Sequence, residues 1–310
     1  MKTTLTTTAK KFTTTLATLA GVLAITLTTL ITAGYASAAN IAESSASTKA
    51  FQVKITGQGK PMILIPGLAS SGDVWNDTVA HYASRYRCIV LTLAGFAGTP
   101  AISGPFLKQV EDELARYIGD NKLDHPVVVG HSLGGFLALK LASDYPDKVG
   151  KIVIVDSLPA MGAQQMPSIT VAQLEEMART MRDRMLQGDK TKQNANRRVT
   201  IATMVSKPED IERIAIWGDQ SDSNAVANAM YELLAQDLRQ DISNITTPTL
   251  VMGTWIAYKD YVSRNVIETV FKTQFAKLPD VNIVLADHAR HFIMIDDPKW
   301  LFEQMDTFLK

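Results

Sequence analysis

Cysteine is all but missing: the 310-residue chain has one, Cys88. A disulfide needs two, so none can form within the chain even in an oxidising compartment. The lone thiol lies in Arg87-Cys88-Ile89-Val90-Leu91, an apolar, β-branched run, and reads as a small buried hydrophobe. Charge of one sign is missing too. With 31 basic and 31 acidic residues, the chain has neither a basic stripe suited to nucleic acid nor an acidic tail. Nothing in it resembles a metal site or a dinucleotide-binding loop, so no cofactor is expected. Histidine is scarce at five residues, which narrows any search for a catalytic base.

Hydrophobic residues make up 46% of the chain, enough for one sizeable globular domain with an insertion. The first 38 residues are read apart from it. Lys2, Lys10 and Lys11 form a positive start, an apolar stretch follows from about Leu16 to Ile31, and Ala36-Ser37-Ala38 offers a small-residue cleavage site. These are the parts of an export signal, which places the mature protein in the periplasm or outside the cell. The rival is an uncleaved membrane anchor, weakened by Thr26, Thr28, Thr29 and Thr32. Residues 39–50 read as a flexible leader.

From Phe51 onward strand-like and helix-like runs alternate. Phe51–Thr56, Met62–Ile65, Arg87–Leu93, Pro126–Val129 and Lys151–Val155 are strand-like, with helical patterns near Val74–Tyr86 and Leu107–Asn121. The rhythm stops between about Leu158 and Ile245, where Leu174, Met177, Met181 and Met185 recur at helical spacing. It resumes with Pro248–Met252, a helix near Arg264–Ala276, Val281–Leu285 and a last helix near Pro298–Leu309. The expected fold is α/β, a mainly parallel sheet flanked by helices. Its core would take residues 51–157 and 246–310, with a helical cap inserted at 158–245. Met161, Met166, Met177, Met181 and Met185 either line an adaptable apolar pocket in that cap or form a helix core face.

One motif carries chemistry. Gly130-His131-Ser132-Leu133-Gly134-Gly135 follows the run Pro126–Val129 and precedes a helix-forming stretch, Phe136–Ala142, with apolar residues on one face. Strand, Gly-x-Ser-x-Gly and helix together describe a nucleophile elbow, in which Ser132 projects from a tight turn at the end of the sheet. Gly130 and Gly134 let strand and helix approach closely. The Leu133 amide, at the helix N-terminus, faces any oxyanion that develops there. A serine hydroxyl needs a base, and two histidines, His288 and His291, follow the last strand.

His291 opens the stretch His-Phe-Ile-Met-Ile-Asp-Asp-Pro, and with the elbow this resembles the α/β-hydrolase-fold serine hydrolases. In that family the catalytic histidine commonly precedes an aromatic or hydrophobic residue, with an acidic residue and a proline shortly after. His291, Asp296 and Pro298 match that pattern and His288 does not. The resemblance implies the chain order serine, acid, histidine. It favours Asp260, in the loop after Pro248–Met252, as the acid, with Asp156, directly after Lys151–Val155, as the alternative. It also implies that Pro66-Gly67, where the family usually has His-Gly, presents the Leu68 amide as the second oxyanion donor.

The function so implied is hydrolysis of a small or medium carboxylic ester through an acyl-enzyme on Ser132, with a small-molecule substrate and a membrane partner only if the N-terminal segment stays uncleaved. Lactonase, thioesterase, C–C hydrolase and perhydrolase chemistry are the alternatives, as is a ligand-binding or receptor protein on the same fold with little turnover.

Overall fold

The computed structural model describes residues 50–310 except 165 and 167. Residues 1–38, expected to be an export signal, and residues 39–49 of the expected leader lie outside the described residues. Seven strands, β1 (Phe51–Thr56), β2 (Lys60–Ile65), β3 (Tyr86–Leu93), β4 (Val127–His131), β5 (Lys151–Val155), β6 (Thr249–Thr254) and β7 (Val281–Ala286), form one sheet in the order β1-β3-β2-β4-β5-β6-β7. β1 runs antiparallel to β3, and every other pairing is parallel. β2 begins at Lys60, two residues before the expected Met62, because Lys60 and Pro61 already pair with Tyr86 and Arg87.

The helices are α1 (Asn76–Tyr82), α2 (Phe106–Asp120), α3 (Leu133–Asp144), α4 (Val171–Leu186), α5 (Lys190–Met204), α6 (Pro208–Gln220), α7 (Ser223–Ala235), α8 (Arg264–Gln274), α9 (Ile293–Asp296) and α10 (Pro298–Leu309). Among the described residues none is long and apolar enough to cross a membrane. Alternation along the strands divides the core in two. Ile63, Ile65, Ile89, Leu91, Val128, Ile152 and Ile154 face α2, α3 and α8. Met62, Leu64, Cys88, Val90, Val129, Val153 and Met252 face the side of α1 and α10. Both faces are covered, so the strands read as continuous apolar runs and not as alternating ones. Cys88 is buried, as its surroundings in sequence suggest. α3 differs from its expected form. It is buried on nearly every side, with Lys140 as its one half-buried residue before the C-terminus, because the sheet, α2 and the segment Asp241–Asn244 enclose it.

Between β5 and β6 the described residues form only helices and turns. This segment is fastened to the sheet-bearing part by polar contacts. Glu232 on α7 accepts from the Phe106 and Leu107 amides at 2.7 and 2.8 Å, capping α2. The corner between α6 and α7 meets the loop after β3, with Ser221 Oγ accepting from Ala97 N at 2.9 Å and Asp222 N donating to Gly95 O at 2.7 Å.

Glu111 on α2 is a carboxylate buried against α3, with Lys140 Nζ 3.4 Å away. Burial first, and then the neighbouring Asp144, push its pKa from the ordinary 4.5 up to about 7. As pH rises from 4.5 toward 7 the unfolded chain releases this proton while the folded chain retains it, so stability falls over that window and levels off above it. Glu111→Gln is therefore expected to stabilise the protein at pH 8 by about 1–3 kcal/mol, seen as a higher midpoint of thermal unfolding. The gain should vanish at acid pH, and Lys140 keeps Asp144 as a partner at 2.8 Å in the variant. A Gln variant no more stable than the parent at pH 8 would refute this.

Candidate active site

The strand order reverses direction at β2: the chain passes from β2 to β3 on one side, then returns to β4 on the other. In open α/β sheets the crevice beyond the carboxyl ends of strands at such a point is where ligands bind. Two segments meet there, Pro66-Gly67-Leu68 after β2 and Ser132 after β4. Ser132 has φ 53° and ψ −119°, a conformation that costs on the order of 1–3 kcal/mol for a residue with a side chain. The neighbours hold it there. Ser132 N donates to Val155 O at 3.0 Å, and Ser132 O accepts from Gly135 N and Phe136 N at 2.9 and 3.1 Å. A Cβ at Gly130 would collide with the backbone of Gly134 and Gly135, so strand and helix could not close around the serine. A Cβ at Gly67 would lie 3.2 Å from Ser132 Cβ and 2.9 Å from His131 Nδ1, which shows how closely the Pro-Gly loop approaches the turn. Neither the Leu68 nor the Leu133 N–H donates to a backbone carbonyl among the described residues.

His291 lies beyond β7 and is half-buried. Its Nδ1 is 2.6 Å from Asp156 Oδ2, and the second oxygen, Asp156 Oδ1, accepts from Thr254 N at 3.0 Å. The expectation for Asp260 is thus corrected: the carboxylate at His291 belongs to Asp156. The register explains this. Val155 pairs with His131, so Asp156, the next residue, stands level with Ser132 at the end of the neighbouring strand. Asp156 N, donating to Met252 O at 2.7 Å, holds it at the sheet, and φ 45° turns it toward His291, a conformation aspartate tolerates. Asp260 stands six residues past the end of β6, exposed, with no hydrogen bond or ion pair among the described residues. In the same loop, the hydroxyl pKa of Tyr258 is pushed up, first by burial and then by the charge of Asp156. His288 is exposed in the turn after β7. Its neighbour Asp287 is taken by Trp255 Nε1 and Arg264 Nε, both at 2.9 Å.

His131, inside the elbow, has a structural part that its position in the motif does not announce. It is 1% exposed, its ring 4.5 Å from that of His291 and 4.8 Å from that of Phe292, centroid to centroid. Its Nε2 lies 3.0 Å from the His291 carbonyl oxygen. Since a carbonyl only accepts, Nε2 carries the proton. Burial, and then the charge of His291, hold the His131 pKa well below that of an ordinary histidine. It stays neutral beside a second imidazole and ties that imidazole's backbone to the elbow. No hydrogen bond joins Ser132 Oγ to His291 among the described residues; in unliganded sites this bond is often long.

A serine at a strained turn, two nearby amides without a backbone acceptor, and an imidazole whose Nδ1 faces a carboxylate make a set suited to acyl transfer. A family model for the alpha/beta hydrolase fold matches residues 60–298. The chain belongs to that family. A pimeloyl-[acyl-carrier protein] methyl ester esterase of Aeromonas hydrophila subsp. hydrophila is 27% identical to this α/β hydrolase over 262 residues, 82% of this chain and 96% of its own. Among solved structures, an esterase from Exiguobacterium antarcticum superposes with TM-score 0.69 at 16% identity, covering 84% of this chain and 98% of its own. The enol-lactonase from Burkholderia xenovorans LB400 gives 0.65 at 18%, covering 84% and 96%. At such identities the two structures speak for the fold alone. Among the described residues of this α/β hydrolase, no group of three His, Cys, Asp or Glu side chains is arranged to hold a metal ion. The methionines divide. Met161 packs on the main core and Met177 on Ala160, Ala163 and Leu174, whereas Met166 and Met181 are 48% and 42% exposed. Met166, Met177 and Met181 line an outer groove of about 920 Å³ on α4 that neither Ser132 nor His291 reaches.

Proposed function

We propose that this α/β hydrolase is a serine hydrolase that cleaves a small or medium carboxylic ester through an acyl-enzyme. The Asp156–His291 contact at 2.6 Å, standing at the elbow of Ser132, is the observation that carries the reading. His291 Nε2 takes the Ser132 hydroxyl proton as Oγ attacks the ester carbonyl. The Leu68 and Leu133 amides hold the oxyanion, and the C–O bond to the alcohol breaks as His291 returns the proton to it. Water, deprotonated by His291, then releases the acid and restores Ser132. Asp156 keeps Nδ1 protonated and stabilises the imidazolium. The similarity to a methyl ester esterase across 82% of the chain supports the same class of reaction.

The helices between β5 and β6 act as the cap that shapes the substrate site in this reading, and residues 1–38 act as an export signal, removed in the mature protein. Sequencing the mature N-terminus checks the latter: a chain that still begins at Met1 would overturn it. The test of the function is hydrolysis of p-nitrophenyl esters from acetate to decanoate, with a fluorophosphonate probe mapped by peptide mass spectrometry. Turnover is expected with at least one chain length, and the probe should label Ser132. No turnover and no label would overturn the reading and favour a binding protein on the same fold.

A further inference from the structure

The loop that carries His291 is tied to the inserted helices on both sides of the imidazole. On one side, Arg290 Nη1 donates to the carbonyl oxygens of Ala202 at 2.6 Å and Val205 at 3.2 Å. These belong to the C-terminal end of α5, where helix carbonyls have no intrahelical partner and the dipole favours a cation. On the other side, Phe292 N donates to Met204 O at 3.1 Å. Asp296 closes the loop: Oδ2 accepts from Arg290 N at 2.9 Å and from Ser206 Oγ at 3.0 Å, while Oδ1 accepts from Ser206 N at 2.9 Å. Residues 202–206, the corner between α5 and α6, are thereby bound to residues 290, 292 and 296. The carbonyl of His291 itself is held by His131.

We propose that Arg290 and Asp296 are positioning residues that couple the placement of His291 to the docking of the α5–α6 corner. The corner cannot lift from the sheet-bearing part without moving the backbone on either side of the imidazole, and the 2.6 Å contact with Asp156 has no slack to absorb that movement. This part of the insertion therefore supports the base, whereas an ordinary lid would move independently of it. The proposal rests on the reading of His291 as the base of the reaction.

The full-length protein with Arg290→Met and with Arg290→Lys tests it. Misplacing a reacting group by about 1 Å costs on the order of 100-fold, so Arg290→Met should lower kcat about 10- to 100-fold. KM should stay within about threefold, since the Arg290 side chain spends its hydrogen bonds on the Ala202 and Val205 carbonyls. The low-field proton resonance of the His291 Nδ1–H bonded to Asp156 should broaden or disappear. Arg290→Lys keeps the charge at the helix end and should recover part of both. Wild-type kcat with an unchanged resonance in Arg290→Met would overturn the proposal, as would a fall in kcat with the resonance intact. If Arg290→Met does not fold, Arg290→Lys decides alone: reduced kcat with a weakened resonance supports the coupling, and wild-type values of both refute it. A parent protein that hydrolyses no ester would defeat the proposed function, while the resonance would still report on the coupling.

Discussion

Asp156→Asn is expected to lower kcat for ester hydrolysis by about 10³–10⁴-fold, and Asp260→Asn to leave it within about twofold. The first effect is chemical. An asparagine at 156 would turn its carbonyl oxygen to the Thr254 amide, which now donates to Asp156 Oδ1, and its NH2 to His291 Nδ1. Nδ1 would then have to accept, the ring proton would move to Nε2, and no base would face Ser132. The imidazolium would also lose the neighbouring negative charge. Asp260, exposed in its loop, has no comparable tie to break. Steady-state kinetics of the two variants on one p-nitrophenyl ester decide the matter, and the reverse ranking would return the acid to the loop after β6.

His291→Ala should reduce kcat on the order of 10⁵–10⁶-fold, against little change for His288→Ala. Both histidines follow β7 within four residues of each other, yet the backbone separates their surroundings. His291 is half-buried, with Asp156 at Nδ1 and the ring of His131 4.5 Å away. His288 points from an exposed turn. Removing the base leaves Ser132 with its proton, and only the oxyanion donors and substrate binding then accelerate the reaction. Comparable losses in the two variants would mean that the base has been misassigned.

Much of the sheet was legible in the sequence because strands buried on both faces read as short, unbroken apolar runs: Val127-Val128-Val129 and Ile152-Val153-Ile154-Val155 admit few other structures. The elbow was legible because its glycines are demanded by close packing. The carboxylate that meets His291 was not, since two aspartates each follow a strand, and family habit ranks the later one higher. The deciding signal is distance from the strand end. Asp156 abuts β5, the strand beside that of the elbow, so the sheet itself fixes its reach; Asp260 is separated from β6 by five residues, which carry it into solvent. The parts of His131 and Arg290 were invisible for another reason. Each acts on a backbone 85 to 160 residues away in the chain, and no local pattern encodes such a contact. Near-total burial of α3 was missed because the inserted segment that covers part of it lies far downstream.

A carboxylate partner for His291 at the end of β5 has a consequence for how this protein can change. The segment joining β6 to α8, with Asp260 and the 86% exposed Tyr261, is released from the duty of holding a charge beside the imidazole. What the pair requires from β6 is the Thr254 N–H, a backbone group that every residue but proline carries. The exposed run Lys259-Asp260-Tyr261 is thus open ground for evolution and for the engineer: it can be lengthened or exchanged while Asp156 and Ser132 stay anchored at the ends of their strands.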